Sequence, residues 1–86
     1  MKFQEYRPSI NSEPAPKVEV TDREGLLTHL RQILAPYPTA PPVRPDTVQV
    51  VPYLFDSATG THIHMVRLHD YGLIGTLESP RDITDH

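Results

Sequence analysis

Residues 48–78 read VQVVPYLFD (48–56), SATG (57–60), THIHMVRL (61–68), HDYG (69–72) and LIGTLE (73–78), and this stretch decides the fold. Its three longer segments alternate in side-chain character and are rich in β-branched and aromatic residues, which favours strands. The two four-residue segments end in glycine and have the length of tight turns. The sequence therefore predicts a three-stranded antiparallel β-meander.

One amphipathic helix is predicted ahead of this meander. Thr21 and Glu24 have the spacing of a capping box, in which each side chain satisfies a backbone N–H at the helix start. The apolar residues that follow recur at helical spacing on one stripe, namely Leu26, Leu27, Leu30, Ile33 and Leu34. The predicted fold is therefore α+β, with this helix packed on the meander and KVEV (17–20) as a candidate fourth strand.

The positions of the prolines predict the domain organisation. The 86 residues include ten prolines, which cluster before residue 17 and between residues 36 and 45. Residues 1–16 show no periodicity, which predicts an extended or disordered N-terminal arm. Residues 17–86 are expected to form a single small domain, with a stiff proline-rich connector at 35–46.

Composition excludes or disfavours several classes of function. The absence of cysteine excludes disulfides and thiolate metal sites. The net charge of −3 comes with scattered lysines and arginines, which disfavours nucleic acid as a partner. No apolar run is long enough for a membrane span or a signal peptide, so we expect a cytoplasmic protein without a membrane partner. No phosphate-binding loop or cofactor fingerprint occurs, and we predict neither a cofactor nor an enzymatic activity.

The first turn sets the expected register of the sheet. A turn at 57–60 places Asp56 opposite Thr61 and Leu54 opposite Ile63, and alternation then divides the strand residues between two faces. The first face is predicted to be aliphatic and covered by the helix: Val48, Val50, Pro52, Leu54, Ile63, Met65, Leu73 and Leu77. The second is predicted to be aromatic and uncovered: Val51, Tyr53, Phe55, His62, His64, Val66, Leu68 and Ile74. Pro52 also predicts an edge strand, because proline has no N–H for a ladder.

The uncovered second face suggests a function. Aromatic residues with few charges are typical of an interface core. We therefore predict a small non-catalytic protein-interaction module, acting as a homodimer or as an accessory subunit of a larger assembly, with Tyr53 and Phe55 as anchors. Three coverings of the second face stay open at this point: the N-terminal arm, a second copy of the chain, or a different protein.

Three other hypotheses remain. His62 and His64 lie two residues apart on one strand, which is a spacing that metal sites use, so a metal-dependent enzyme or metal-binding protein is one alternative. Bases stacked on Tyr53 and Phe55 would make the sheet a weak binder of single-stranded nucleic acid. An inhibitor encoded by a mobile element would have the same sequence features as an accessory subunit.

Overall fold

The computed structural model describes residues 1–7 and 13–84, which form one helix and five strands. The elements are β1 (Lys2–Glu5), β2 (Lys17–Glu19), α1 (Arg23–Leu34), β3 (Val48–Asp56), β4 (Thr61–Leu68) and β5 (Gly72–Ser79). The strands form one antiparallel sheet in the order β2-β1-β5-β4-β3. The predicted α+β class is confirmed, although the sheet has five strands rather than three or four. Strand β3 lies at an edge, as Pro52 predicts.

The N-terminal residues belong to the sheet, so the predicted arm at 1–16 is wrong for residues 2–5. Strand β1 is an inner strand, in which Phe3 pairs with Val18 of β2 on one side and with Leu77 of β5 on the other. The Phe3 side chain is fully buried in the core. Strand β1 contains only this one apolar residue. Its sequence therefore has no periodic pattern that would predict a strand. Residues 8–12 of the predicted arm lie outside the described residues.

A glycine in β5 makes room for β1. A Cβ atom at Gly75 would lie 2.7 Å from the ring of Phe3 and would also collide with the backbone oxygen of Gln4. The ring of Phe3 therefore packs directly over the glycine, and any larger side chain there would displace it. Gly75 is thus the residue of β5 that admits the inner strand β1.

Helix α1 covers one side of the sheet. Its N-cap is Asp22, one residue later than the capping box predicts, and the Asp22 carboxylate accepts the N–H of Gly25 at 2.8 Å. The predicted stripe is confirmed for its central residues, since Leu26, Leu27 and Leu30 are buried. They pack with side chains from the three meander strands and from β1: Phe3, Val48, Val50, Val66, Leu68, Ile74 and Leu77.

The proline-rich stretch after α1 is anchored at its far end. Val43 is buried, and the Arg31 guanidinium donates to its carbonyl oxygen at 3.1 Å. The Thr47 hydroxyl donates to the carbonyl oxygen of Pro42 at 2.9 Å. The chain is therefore fastened to the helix and the sheet just before β3 begins. No helix in the described part of the chain is long and apolar enough to cross a membrane.

Candidate interaction surface

A β-bulge in β3 changes which residues lie on each face of the sheet. The two faces therefore differ from those that the sequence predicts. Asp56 pairs with Thr61 and Leu54 with Ile63, as predicted. The register then shifts at Tyr53, so that Pro52 pairs with His64. Because side chains alternate along a strand, one extra residue moves everything before it to the opposite face. The residues of β3 before and after Tyr53 therefore do not share the faces that strict alternation predicts.

A second irregularity has the same effect in β5. Val66 pairs with Gly75 and Arg67 pairs with Leu73, which leaves Ile74 as the extra residue between them. Ile74 turns into the core, while Leu73 stays exposed. Leu73 was expected under the helix with Leu77, and the bulge places the two on opposite sides of the sheet.

The eight residues of the predicted second face do not form one surface. Half of them are buried in the core or against it: His64, Val66, Leu68 and Ile74. Val51 is half-buried on the other side of the sheet, and His62 is half-buried beside the ring of Phe55, with ring centroids 4.7 Å apart. Tyr53 and Phe55 are 59% and 54% exposed, so the two expected anchors are accessible. Whether any of the eight contacts a partner stays a prediction.

The helix-free side of the sheet has an apolar region, and three of its residues, Leu54, Ile63 and Met65, were expected on the helix-covered face. Met65 pairs with Val51, and Ile63 pairs with Leu54, on the side opposite the buried Val50 and Val66. These residues are half-buried by their neighbours within the sheet, except Leu54, which is 46% exposed. We call the group the open face: Val51, Leu54, Ile63 and Met65.

Next to the open face, the outer half of β3 exposes four consecutive residues, PYLF at 52–55. We call this run the edge patch. Pro52 has no N–H, and the bulge at Tyr53 interrupts the ladder, so this edge is unsuited to pairing with another strand. A partner would therefore contact the edge patch through side chains rather than through backbone hydrogen bonds.

The part of the helix-free side that β1 and β2 form is polar. Lys17 forms an ion pair with Glu78 at 2.7 Å, and Lys2 and Glu19 occupy neighbouring positions in the ladder. The Gln4 side-chain amide donates to the carbonyl oxygen of Ala15 at 2.9 Å, which lays the chain before β2 against this half. The apolar region of the helix-free side is therefore confined to strands β3, β4 and β5.

His64 fastens the C-terminal segment to the sheet. Its side chain is 1% exposed, and Nδ1 lies 3.2 Å from the carbonyl oxygen of Leu77. The Ile83 backbone N–H donates to Nε2 at 3.1 Å. An N–H can donate only to an unprotonated ring nitrogen, so we assign the neutral form with its proton on Nδ1. This buried histidine therefore has a structural role that its sequence context did not reveal.

Asp82, beside His64, is held in its ionised form. Its Oδ1 accepts hydrogen bonds from the hydroxyl and the backbone N–H of Thr84, and lies 3.3 Å from His64 Nε2. The two hydrogen bonds from Thr84, the hydroxyl's first, lower the pKa of Asp82 from 3.8 to about 2. The carboxylate therefore stabilises the turn at 82–84, and this turn contacts His64.

The histidine pair does not by itself make a metal site. The rings of His62 and His64 lie on the same face with centroids 6.5 Å apart. A zinc site needs three or four protein ligands, and residues 1–7 and 13–84 contain no group of three or more candidate metal-ligating side chains. The metal-binding alternative stays a prediction, as does binding of single-stranded nucleic acid.

The chain matches no protein-family model, no curated protein and no solved structure.

Proposed function

We propose that the chain is a small protein-interaction module that self-associates by burying the open face together with the edge patch. One observation carries the proposal: the open face lies on the side of the sheet that α1 does not cover, and the exposed edge patch of β3 borders it and shares Leu54 with it. Contiguous exposed apolar surface of this kind marks interaction sites in soluble proteins. Tyr53 and Phe55 would supply the aromatic anchors, since buried aromatic residues dominate interface energies.

A second copy of the chain is the partner that the charges favour. The polar half of the helix-free side has two lysines, Lys2 and Lys17, and two glutamates, Glu19 and Glu78. A two-fold axis brings the same surface from both copies together, so a surface of one sign would repel itself. This surface has no excess of either sign, and lysines of one copy can meet glutamates of the other.

The area of the proposed interface indicates how strong the self-association is expected to be. With strands about 4.8 Å apart and a rise of about 3.3 Å per residue, one face of β3–β5 projects to about 400 Å². Stable interfaces bury about 800 Å² per partner. The proposed dimer is therefore expected to be weak and to dissociate on dilution rather than to be permanent.

Light scattering combined with size exclusion tests this proposal at several loading concentrations. We expect the apparent mass of the wild type to rise with concentration from one chain towards two. Leu54→Asp and Phe55→Asp should each hold the protein at the mass of one chain, because a charge would be desolvated at the interface. Pro38→Asp, which changes an exposed residue of the connector, serves as the matched control and should behave as the wild type. A concentration series that is identical for the wild type and both variants would contradict the proposal.

A further inference from the structure

Charges of opposite sign lie at the two ends of the open face. Arg67 continues the face beyond Met65 along β4, and Asp56 continues it beyond Leu54 along β3, since side chains two residues apart lie on the same side of a sheet. Arg67 is exposed and Asp56 is half-buried. Asp56 pairs with Thr61 of β4. At a rise of about 3.3 Å per residue, Arg67 and Asp56 are therefore about 20 Å apart along the sheet and cannot meet within one chain.

Neither charge has an oppositely charged neighbour in the described part of the chain. There, the Arg67 guanidinium forms no hydrogen bond or ion pair. The Asp56 carboxylate accepts the Ala58 backbone N–H at 3.0 Å and forms no ion pair with any described residue. Glu78, which is on the same side of the sheet beside Ile63, differs because Lys17 pairs with it at 2.7 Å. Arg67 and Asp56 are therefore the charges of this surface that a partner can neutralise.

Symmetry restricts how a second copy can cover the open face. Two aligned sheets keep their strands within about 30° of each other, so a two-fold axis between them runs either along the strands or across them. An axis along β4 leaves the strand direction unchanged, and Arg67 of one copy would then lie opposite Arg67 of the other. Like charges that face each other across an interface oppose association. The charges therefore disfavour an axis along the strands.

An axis across the strands turns the second copy end for end. When this axis passes through the middle of the face, between Ile63 and Met65, Arg67 lies opposite Thr61 of the other copy. Asp56 of that copy is on the neighbouring strand, about 4.8 Å to the side. Stacked sheets are about 10 Å apart, and arginine is long enough to extend across most of this gap towards a carboxylate. Because the axis repeats every contact, the same pair forms at both ends of the interface.

We propose that the open face is covered by a second copy turned end for end, with Arg67 of each copy paired to Asp56 of the other. This inference rests on the proposed self-association and adds the orientation of the partner and the residues that select it. The apolar side chains supply the contact area. The ion pairs select one orientation among several, because charge pairs across an interface contribute to specificity more than to affinity.

Charge reversal tests the inference by sedimentation equilibrium at low ionic strength, which gives the dissociation constant of the dimer. Arg67→Glu and Asp56→Lys should each raise this constant about tenfold or more, because each variant brings like charges together at both ends of the interface. The double variant with both substitutions exchanges the two charges within one chain. It should return the dissociation constant to near the wild-type value.

Matched controls reverse the same charges elsewhere on the surface. Arg44 and Asp46 are exposed residues of the connector, and their own surface ion pair contributes little. Arg44→Glu and Asp46→Lys should therefore leave the dissociation constant unchanged. If Asp56→Lys does not fold, Asp56→Asn keeps the acceptor for the Ala58 N–H and should still weaken the dimer severalfold through loss of the charge.

The possible results distinguish this inference from the proposed function. A wild type that dimerises no more tightly than Arg67→Glu would overturn the end-for-end arrangement and leave self-association standing. A double variant that stays as weak as the single variants would also overturn it. A wild type that stays at the mass of one chain at every concentration would contradict the proposed function, and this inference with it.

Discussion

At the scale of single residues, two glycines have opposite roles in this fold. Gly75 lies under the ring of Phe3, where an added Cβ has no room. Gly25 lies in the first turn of α1, where an added Cβ would meet the Asp22 carboxylate at 3.4 Å, an ordinary contact. The same substitution should therefore act in opposite directions at these positions.

Gly75→Ala is predicted to destabilise the protein by about 1–3 kcal/mol, because the methyl group forces Phe3 and β1 to move. Gly25→Ala, its matched control, should increase the free energy of unfolding by about 0.5–1 kcal/mol through helix propensity. Urea unfolding of both variants, followed by circular dichroism, measures the two changes. Equal effects at the two positions would mean that Phe3 does not pack over Gly75 as described.

The buried His64 illustrates why residue roles were hard to predict. Its sequence context, His-Ile-His on a strand, favoured a place on the second face beside Tyr53 and Phe55, with metal binding as an alternative. Its actual contacts come from Leu77 and from Ile83 in the C-terminal segment. Such contacts cannot be predicted from a local sequence pattern. The residues that make them are brought together only when β5 and the chain that follows it pack against the sheet.

At the scale of elements, the accuracy of the sequence-based predictions depends on how local the signal is. The stripe of α1 and the pairing of Asp56 with Thr61 follow from neighbouring residues, and both were predicted. The bulge at Tyr53 was not, because one extra residue leaves the strand composition unchanged. It nevertheless reversed the faces of β3 on one side of Tyr53, so Leu54, Ile63 and Met65 of the open face were assigned to the core and half of the predicted surface is buried.

The turn formed by the C-terminal segment is predicted to depend on pH through Asp82. Folding lowers the pKa of Asp82 from 3.8 to about 2, chiefly through the Thr84 hydroxyl. A carboxyl whose pKa is lower in the folded state stabilises that state above the unfolded value, so its contribution is complete above about pH 5 and is lost between about pH 4 and pH 2.

Comparison of the wild type with Asp82→Asn isolates this contribution. The wild type should have the larger free energy of unfolding at pH 6, and the difference should shrink as the pH falls towards 2. Denaturant unfolding at each pH measures the difference. A difference that stays constant from pH 6 to pH 2 would show that the ionisation of Asp82 does not stabilise the segment.

At the scale of the whole molecule, residues 1–7 and 13–84 form one helix layer on one sheet. Its extents are 39 × 34 × 21 Å, and the shortest matches about two stacked layers, since packed layers lie about 10 Å apart. Small proteins bury a low fraction of their surface, and a single-layer sheet leaves one side without a covering element. Self-association would supply the missing layer over β3–β5, which is the physical basis of the proposed function.

Mixed labelling tests this central claim most directly. Equal amounts of ¹³C-labelled and unlabelled protein, combined at a concentration where association is expected, allow contacts between copies to be detected by isotope-filtered nuclear Overhauser spectroscopy. We predict cross-peaks from the methyl groups of Leu54, Ile63 and Met65 of one copy to the rings of Tyr53 and Phe55 of the other. Cross-peaks confined to other surfaces, or none at the highest attainable concentration, would contradict the claim that the open face and the edge patch form an interface between copies.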